Sequence, residues 1–154
     1  MGSSKFSLHS AVYVMLEKDN QVLMLRRHNT GWEDGKYTLP AGHLDGGESV
    51  KTAAIREAKE EIGVDISEDD LEVVHILHAI TNFEYITFFL KANKWIGTPT
   101  NVETEKSDDL QWFSIDAFPD NTLKQVTNFF NNYKKGIIFS EEGFEKFDPT
   151  QNIA

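Results

Sequence analysis

Two β-rich runs, FSLHSAVYVMLE and QVLMLRR, flank the turn-forming KDNQ and predict a hairpin. In the first run apolar side chains fall on both parities, Ala11, Tyr13 and Met15 on one and Val12, Val14 and Leu16 on the other, as in a strand covered on both faces. Polar HNTGWEDGK follows as a loop, then a short extended YTLPA. SVKTAAIREAKEEIG has helical periodicity, with Ser49 placed as N-cap and Gly63 as the C-terminal stop. LEVVHILHAI and EYITFFLKA predict two more strands joined by TNF, and LQWFSI a further short one. In NTLKQVTNFFNNYKKG, Leu123, Val126, Phe130 and Tyr133 recur at i, i+3, i+7 and i+10, which predicts an amphipathic helix ending at Gly136. This order predicts an α/β fold, a mixed β-sheet between helical layers. There is no repeat, low-complexity run or linker, so residues 1–154 are expected to form a single domain, with 1–5 a tag remnant or flexible lead and 148–154 a loose tail.

One helix departs from ordinary surface chemistry. GHLDGGESVKTAAIREAKEEIGV, Gly42 to Val64, carries Glu48, Glu57, Glu60 and Glu61, and like charges on one helix face repel. At about 100° per residue Glu57, Glu60 and Glu61 share an arc of roughly 100°. Val50, Ala54, Ile55, Ala58 and Ile62 fill the neighbouring arc, suited to packing on the sheet. EAKEE alone is compatible with a merely solvated face. The alternative is that a hard cation sits against it, since carboxylates and carbonyls suit Mg²⁺ or Mn²⁺ and the glycines of PAGHLDGGE let backbone approach a ligand.

The formal net charge of -10 argues against nucleic acid as a partner and favours a small anionic substrate met through a divalent cation. Without cysteine, disulfides, thiolate metal sites and a thiol nucleophile are excluded. No apolar run approaches the roughly 20 residues that span a bilayer, and MGSSKFSLHS lacks the apolar core of a signal peptide. A cytoplasmic setting, with no membrane partner, is the expectation.

Gly42, five residues, Glu48, seven residues, Arg56-Glu57-Ala58-Lys59-Glu60-Glu61, one residue, then Gly63-Val64 resembles the Nudix box at every fixed position, with a small residue at Ala58 where a larger aliphatic is common. The surrounding strands and late helix, roughly Phe6 to Phe139, are similar to the Nudix α/β/α sandwich. The resemblance implies hydrolysis of a nucleoside diphosphate linked to a group X, with Mg²⁺ (or Mn²⁺) as cofactor. It implies Glu57, Glu60, Glu61 and the Gly42 carbonyl as metal ligands, Glu57 as the base that deprotonates or orients water, and Glu48 and Gly63 as structural. Arg56 and Glu60 join Glu57 in the catalytic set. Arg56 stays protonated and would hold Glu48 or Glu57 through a bidentate pair. Glu103 and Glu105, in NVETEKSDDL, are alternative bases, because some members use a glutamate outside the box.

Arg26 and Arg27 end a strand before the loop that faces the box, and alternation lets one of them point inward toward phosphate. Trp32, in NTGWEDG, could stack on a base or pack as a lid. Glu105 and Asp120 are further candidate substrate contacts, as are Asn82 and Phe83. His75 and His78, three apart on one strand, should face opposite ways, and His43 should act through its backbone. The residues that mark ADP-ribose, dinucleoside polyphosphate, coenzyme A and isoprenoid branches of the family are missing, which leaves the MutT-like group: a (d)NTP, standard or oxidised, giving a nucleoside monophosphate and pyrophosphate. Another diphosphate (a nucleotide sugar, a pterin triphosphate) or a non-catalytic nucleotide sensor are the alternatives, and homodimerisation is left open.

Overall fold

The computed structural model describes residues 5–148 and 150. The lead residues 1–4 and, in the expected tail, 149 and 151–154 lie outside them. The elements are β1 (His9–Lys18), β2 (Gln21–Arg27), β3 (Tyr37–Thr38), β4 (Ala41–His43), α1 (Val50–Ile62), a 3-10 turn (Glu68–Asp70), β5 (Leu71–Ile80), β6 (Glu84–Ala92), β7 (Ser107–Ser114), α2 (Lys124–Lys134) and β8 (Phe139–Glu142). None of these helices is long and apolar enough to cross a membrane.

The sheet is mixed, in the order β3-β2-β1-β6-β5-β8, with β4 added to β1 and β7 to β2. β1 runs parallel to β6 and β5 parallel to β8, while the other pairs are antiparallel. The expected hairpin forms through a two-residue turn with Asp19 and Asn20 both at positive φ. It pairs only at Glu17↔Val22 and Lys18↔Gln21. Beyond that point β1 joins β4 and β6, β2 joins β3 and β7, and the divergence opens a cleft between the two halves.

Both parities of β1 are buried, as its pattern predicts. Val12, Val14 and Leu16 pack with Leu23, Leu25 and the α1 residues Ala53, Ala54, Ala58 and Ile62. Tyr13 and Met15 pack with Met24 and the α2 residues Val126, Phe129 and Phe130. The molecule is thus an α/β/α sandwich. The buried stripe of α2 is broader than expected, because Phe129 stacks flat on Phe89 with ring centroids 4.2 Å apart. β8 has no counterpart among the expected elements. It is pinned to β5 by His75, whose buried ring bonds the Ile137 carbonyl and Ser140 Oγ, each at 2.8 Å. His78 faces the other way and meets Glu84 at 2.8 Å.

The caps of α1 fall where the sequence places them. Ser49 Oγ accepts from the Thr52 N–H at 3.1 Å, and Gly63, at φ 71°, sends its N–H to the Lys59 carbonyl at 3.1 Å. A Cβ at Gly63 would also lie 3.2 Å from Val102 Cγ2. Gly63→Ala is therefore expected to lower the unfolding free energy by about 1 kcal/mol in urea denaturation, chiefly through the left-handed backbone.

Candidate active site

The first half of the site is a knot around one guanidinium on α1. Arg56 donates to Glu48 through Nε (3.1 Å) and Nη2 (2.7 Å), a bidentate fork. Its Nη2 also reaches the His43 carbonyl at 3.1 Å, and its Nη1 reaches Glu57 Oε1 at 2.8 Å and Glu60 Oε2 at 3.4 Å. Glu48 in turn accepts the Asp45 N–H at 2.7 Å. One cation therefore ties the glycine-rich loop to the helix and aims Glu57. His43 takes part through its backbone.

Glu57 is buried, with 8% of its surface exposed, and the backbone of Gly42 presses against it. A Cβ on Gly42 would fall on the Glu57 carboxylate itself. Glu61 accepts the Ala41 N–H at 3.0 Å, which ties a second carboxylate to the same strand. Burial raises the proton affinity of Glu57 above the usual carboxylate range. Glu61 is pushed up to about 8, by burial first and then by the Glu57 charge. Glu61 is half-buried and lines the cleft, with one carboxylate oxygen taken by the Ala41 N–H. Glu103, in the loop before β7, adds negative charge felt at both. Glu60 is exposed and does not line the cleft.

These are hard oxygen donors with too little positive charge among them, and they fit a divalent cation. Among the described residues no three carboxylate or imidazole groups already stand as a finished ligand set. Mg²⁺ does not require one, since it commonly takes one or two carboxylates and completes its shell with water and phosphate.

The second half is a cleft of about 1520 Å³. Gly42, His43 and Glu61 form part of its wall, together with Arg27, Trp32, Thr38, Tyr85 and Glu103. Arg27 faces it. Arg26 does not: its Nε donates to Asp108 at 2.7 Å, outside the cleft. Of the two acidic alternatives in the NVETEKSDDL loop, Glu103 lines the cleft and Glu105 is exposed away from it. Asp120 also lies outside, because the chain enters the cleft wall only at Leu123 and Lys124. Of the expected substrate contacts, Arg26, Glu105 and Asp120 thus lie off the cleft wall, while Trp32, Asn82 and Phe83 line it.

The sequence reading missed a polar relay on the floor. Tyr13 donates to Gln125 Oε1 at 3.0 Å and Gln125 Nε2 donates to the Tyr85 hydroxyl at 2.7 Å, joining β1, α2 and β6. Burial pushes the Tyr13 hydroxyl up to about 12, so it is a hydrogen-bond donor at neutral pH.

The family model of the NUDIX domain matches residues 7–133. The chain belongs to the Nudix family. Among solved Nudix structures it is similar to the MutT hydrolase of Burkholderia pseudomallei, with 22% identity and a TM-score of 0.75 over 82% of this chain and 98% of that one. A Nudix hydrolase of Nitrosomonas europaea superimposes with a TM-score of 0.71 and 23% identity, over 92% and 97% of the two chains. At these identities the likeness is one of fold. By sequence, this Nudix chain is 44% identical over 59 residues to the ADP-ribose pyrophosphatase of Methanocaldococcus jannaschii, covering 37% of this chain and 34% of the relative. It is 30% identical over 107 residues to the uncharacterized Nudix hydrolase YvcI of Bacillus subtilis, covering 66% and 63%. It is also 30% identical over 120 residues to the NAD-capped RNA hydrolase NudC of Pseudomonas aeruginosa, covering 73% and 38%. The matched segments thus span between about a third and just under two thirds of these three relatives.

Proposed function

We propose that this Nudix domain is an Mg²⁺-dependent pyrophosphohydrolase of a nucleoside diphosphate linked to a further group, with a (d)NTP, standard or oxidised, cleaved to a nucleoside monophosphate and pyrophosphate. The observation that carries the reading is the buried Glu57 carboxylate, fixed between Arg56 and the backbone of Gly42, just behind the stretch of cleft wall that Gly42 and Glu61 form. Glu57 accepts the proton of the attacking water, and its raised proton affinity brings it nearer to what a general base needs at neutral pH. Arg56 keeps that carboxylate oriented and stays charged throughout. Mg²⁺, or Mn²⁺ in its place, would be held by Glu57, Glu61 and the Gly42 carbonyl, while the exposed Glu60, expected as a further ligand, lies off the cleft wall. The ion would supply the positive charge that phosphate oxygens need as the bond breaks. Arg27 takes up phosphate charge from the opposite wall, and Trp32 offers an indole beside it. The partner is a small nucleotide, and a second copy of the chain is compatible with this arrangement.

A second reading, a larger diphosphate such as a nucleotide sugar, is favoured by one observation: the cleft exceeds the roughly 300–1,000 Å³ common for small-ligand pockets. The relatives named for ADP-ribose and capped RNA point the same way. Turnover of a panel of (d)NTPs, oxidised purine triphosphates, nucleotide sugars and ADP-ribose with Mg²⁺, with products separated by ion-exchange chromatography, tests both. A nucleoside monophosphate from triphosphates first is the expected result. Preference for the sugar-linked members selects the second reading, and turnover of none of them contradicts both.

The site also sets a pH dependence. The Glu61 carboxyl, in the folded protein, holds its proton up to about pH 8, whereas an unfolded chain releases it near the ordinary carboxylate value. The folded state therefore binds the extra proton between those limits, and stability falls as pH rises through that window. Metal-free protein is expected to melt at lower temperature at pH 9 than at pH 6. Saturating Mg²⁺ should remove most of the difference, because a cation replaces the proton. Differential scanning fluorimetry of wild-type and Glu61→Gln protein checks this. The Gln variant should lose the pH slope.

A further inference from the structure

Arg27 differs from two other cations of the cleft wall, Lys36 and Lys106, and shares with Lys124 the lack of an ion pair among the described residues. Lys36 is neutralised by Glu33 at 2.6 Å and Lys106 by Glu103 at 3.3 Å. Arg27 has no carboxylate partner among the described residues. Its Nε donates to the Trp32 carbonyl at 2.7 Å, its Nη2 to Thr30 Oγ1 at 2.9 Å, and its guanidinium carbon lies 4.8 Å from the Trp32 ring centroid. The guanidinium is thus hydrogen-bonded only to neutral groups among the described residues, and the nearby Asp34 and Glu61 charges form no ion pair with it. Of its five N–H donors, both on Nη1 and one on Nη2 have no protein partner among the described residues.

The loop that does this is itself braced. The Arg27 N–H donates to the Lys36 carbonyl at 2.9 Å and the Gly35 N–H returns to the Arg27 carbonyl at 2.7 Å, closing the loop at its base. Asp34 accepts from the Thr30 N–H and the Gly31 N–H, each at 3.0 Å, and from the Thr30 hydroxyl at 2.5 Å. Thr30 therefore donates to Asp34 and accepts from Arg27. Asn121, ahead of α2, fastens the loop's end by donating to the Gly35 carbonyl at 2.9 Å. Trp32 is 52% exposed, so a wish to escape water does not explain where it sits. Its ring lies against the Arg27 guanidinium.

We infer that Trp32 is a positioning residue: it acts through Arg27, holding the guanidinium for the substrate's phosphates, rather than stacking on the base. The inference rests on the reading of the cleft as a diphosphate site, and goes beyond it in assigning what the indole does. A Trp32–Arg27 stack restricts a long side chain before substrate arrives and lowers the ordering cost of each phosphate contact.

The test is a double-mutant cycle on binding of inorganic pyrophosphate with Mg²⁺, followed by calorimetry, in wild-type, Trp32→Ala, Arg27→Met and the double variant, with Trp32→Tyr as the conservative control. Trp32→Ala should weaken pyrophosphate binding about five- to tenfold. Trp32→Tyr should stay within about twofold of wild type, because the ring face is kept. In the Arg27→Met background, Trp32→Ala should add less than about twofold, as expected when one residue acts through the other. With a turned-over nucleotide, Trp32→Ala should raise KM by the same factor and leave kcat within about twofold, because the interaction is made equally before and during reaction. Additive effects overturn the inference. So does weakened nucleotide binding with unchanged pyrophosphate binding, which is the signature of base stacking, and so does a wild-type protein that binds no pyrophosphate. Failure of the whole nucleotide panel would instead contradict the hydrolase reading, and the pyrophosphate cycle would still decide the role of Trp32. Circular dichroism melts of the half-exposed Trp32 variants guard against loss of fold.

Discussion

Glu57→Gln is expected to lower kcat on the preferred diphosphate by about 10²–10⁴-fold, the range lost with a general base, while the protein stays folded. The amide keeps the shape of the side chain and can still accept from Arg56 Nη1, now 2.8 Å from Glu57 Oε1. It cannot accept a proton, and it offers a cation a weaker donor. Stability should hold or rise, because burial penalises the carboxylate that is removed. The pairing of lost turnover with an unchanged or higher melting temperature is what separates a chemical role from a structural one. A matched Glu103→Gln variant completes the experiment: its carboxylate lines the cleft and is felt at Glu57 and Glu61. If Glu103→Gln abolished turnover and Glu57→Gln left it near wild type, the base would be Glu103. Steady-state kinetics at saturating Mg²⁺ decides between them.

Gly42→Ala should cost turnover about 10²-fold through a single added methyl group, the size of loss that follows a misplacement of about 1 Å. No carbon can occupy that position while Glu57 stays where it is, because the Cβ would overlap the carboxylate. Glu57 cannot yield freely, since Arg56 holds it and Glu48 and the His43 carbonyl hold Arg56. Either the carboxylate swings away or β4 retreats from α1, and both spoil the same geometry. Overpacking of this kind also destabilises, by about 1–3 kcal/mol. Gly46→Ala is the control, because a Cβ there meets nothing within 4 Å, and it should behave as wild type. Wild-type kcat in Gly42→Ala would mean that the orientation of Glu57 is not what the reaction requires.

Much of this site could be read from the chain because it lies within one stretch. The acid arc, the small residues of the core face, Ser49 and Gly63 are all local to α1, and helix geometry alone relates them. β1 was legible for the same reason, as its two buried parities are visible in one run of six residues. Long-range pairing was not legible. Nothing in KDNQ says that β1 and β2 part after two residue pairs, yet that parting makes the cleft. Tyr13 and Gln125, 112 residues apart, looked like core and helix surface, and only packing of α2 brings them together. Alternation implied that one of Arg26 and Arg27 faces inward. Which one depends on the register shift between them against β7 and on the closure of the following loop. β8 escaped notice because it is four residues long and half exposed, and its anchor is a histidine on a distant strand.

The measurement that bears most directly on the central claim is an electron paramagnetic resonance titration of Mn²⁺ into wild-type protein and into the Glu57→Gln/Glu61→Gln double variant. The free-ion signal reports what stays unbound. The proposed site predicts saturable Mn²⁺ binding by the wild type and a loss of at least about tenfold in affinity in the double variant, the scale of removing charged donors from a metal. Equal binding by the two proteins, or none by the wild type with nucleotide present, would contradict it.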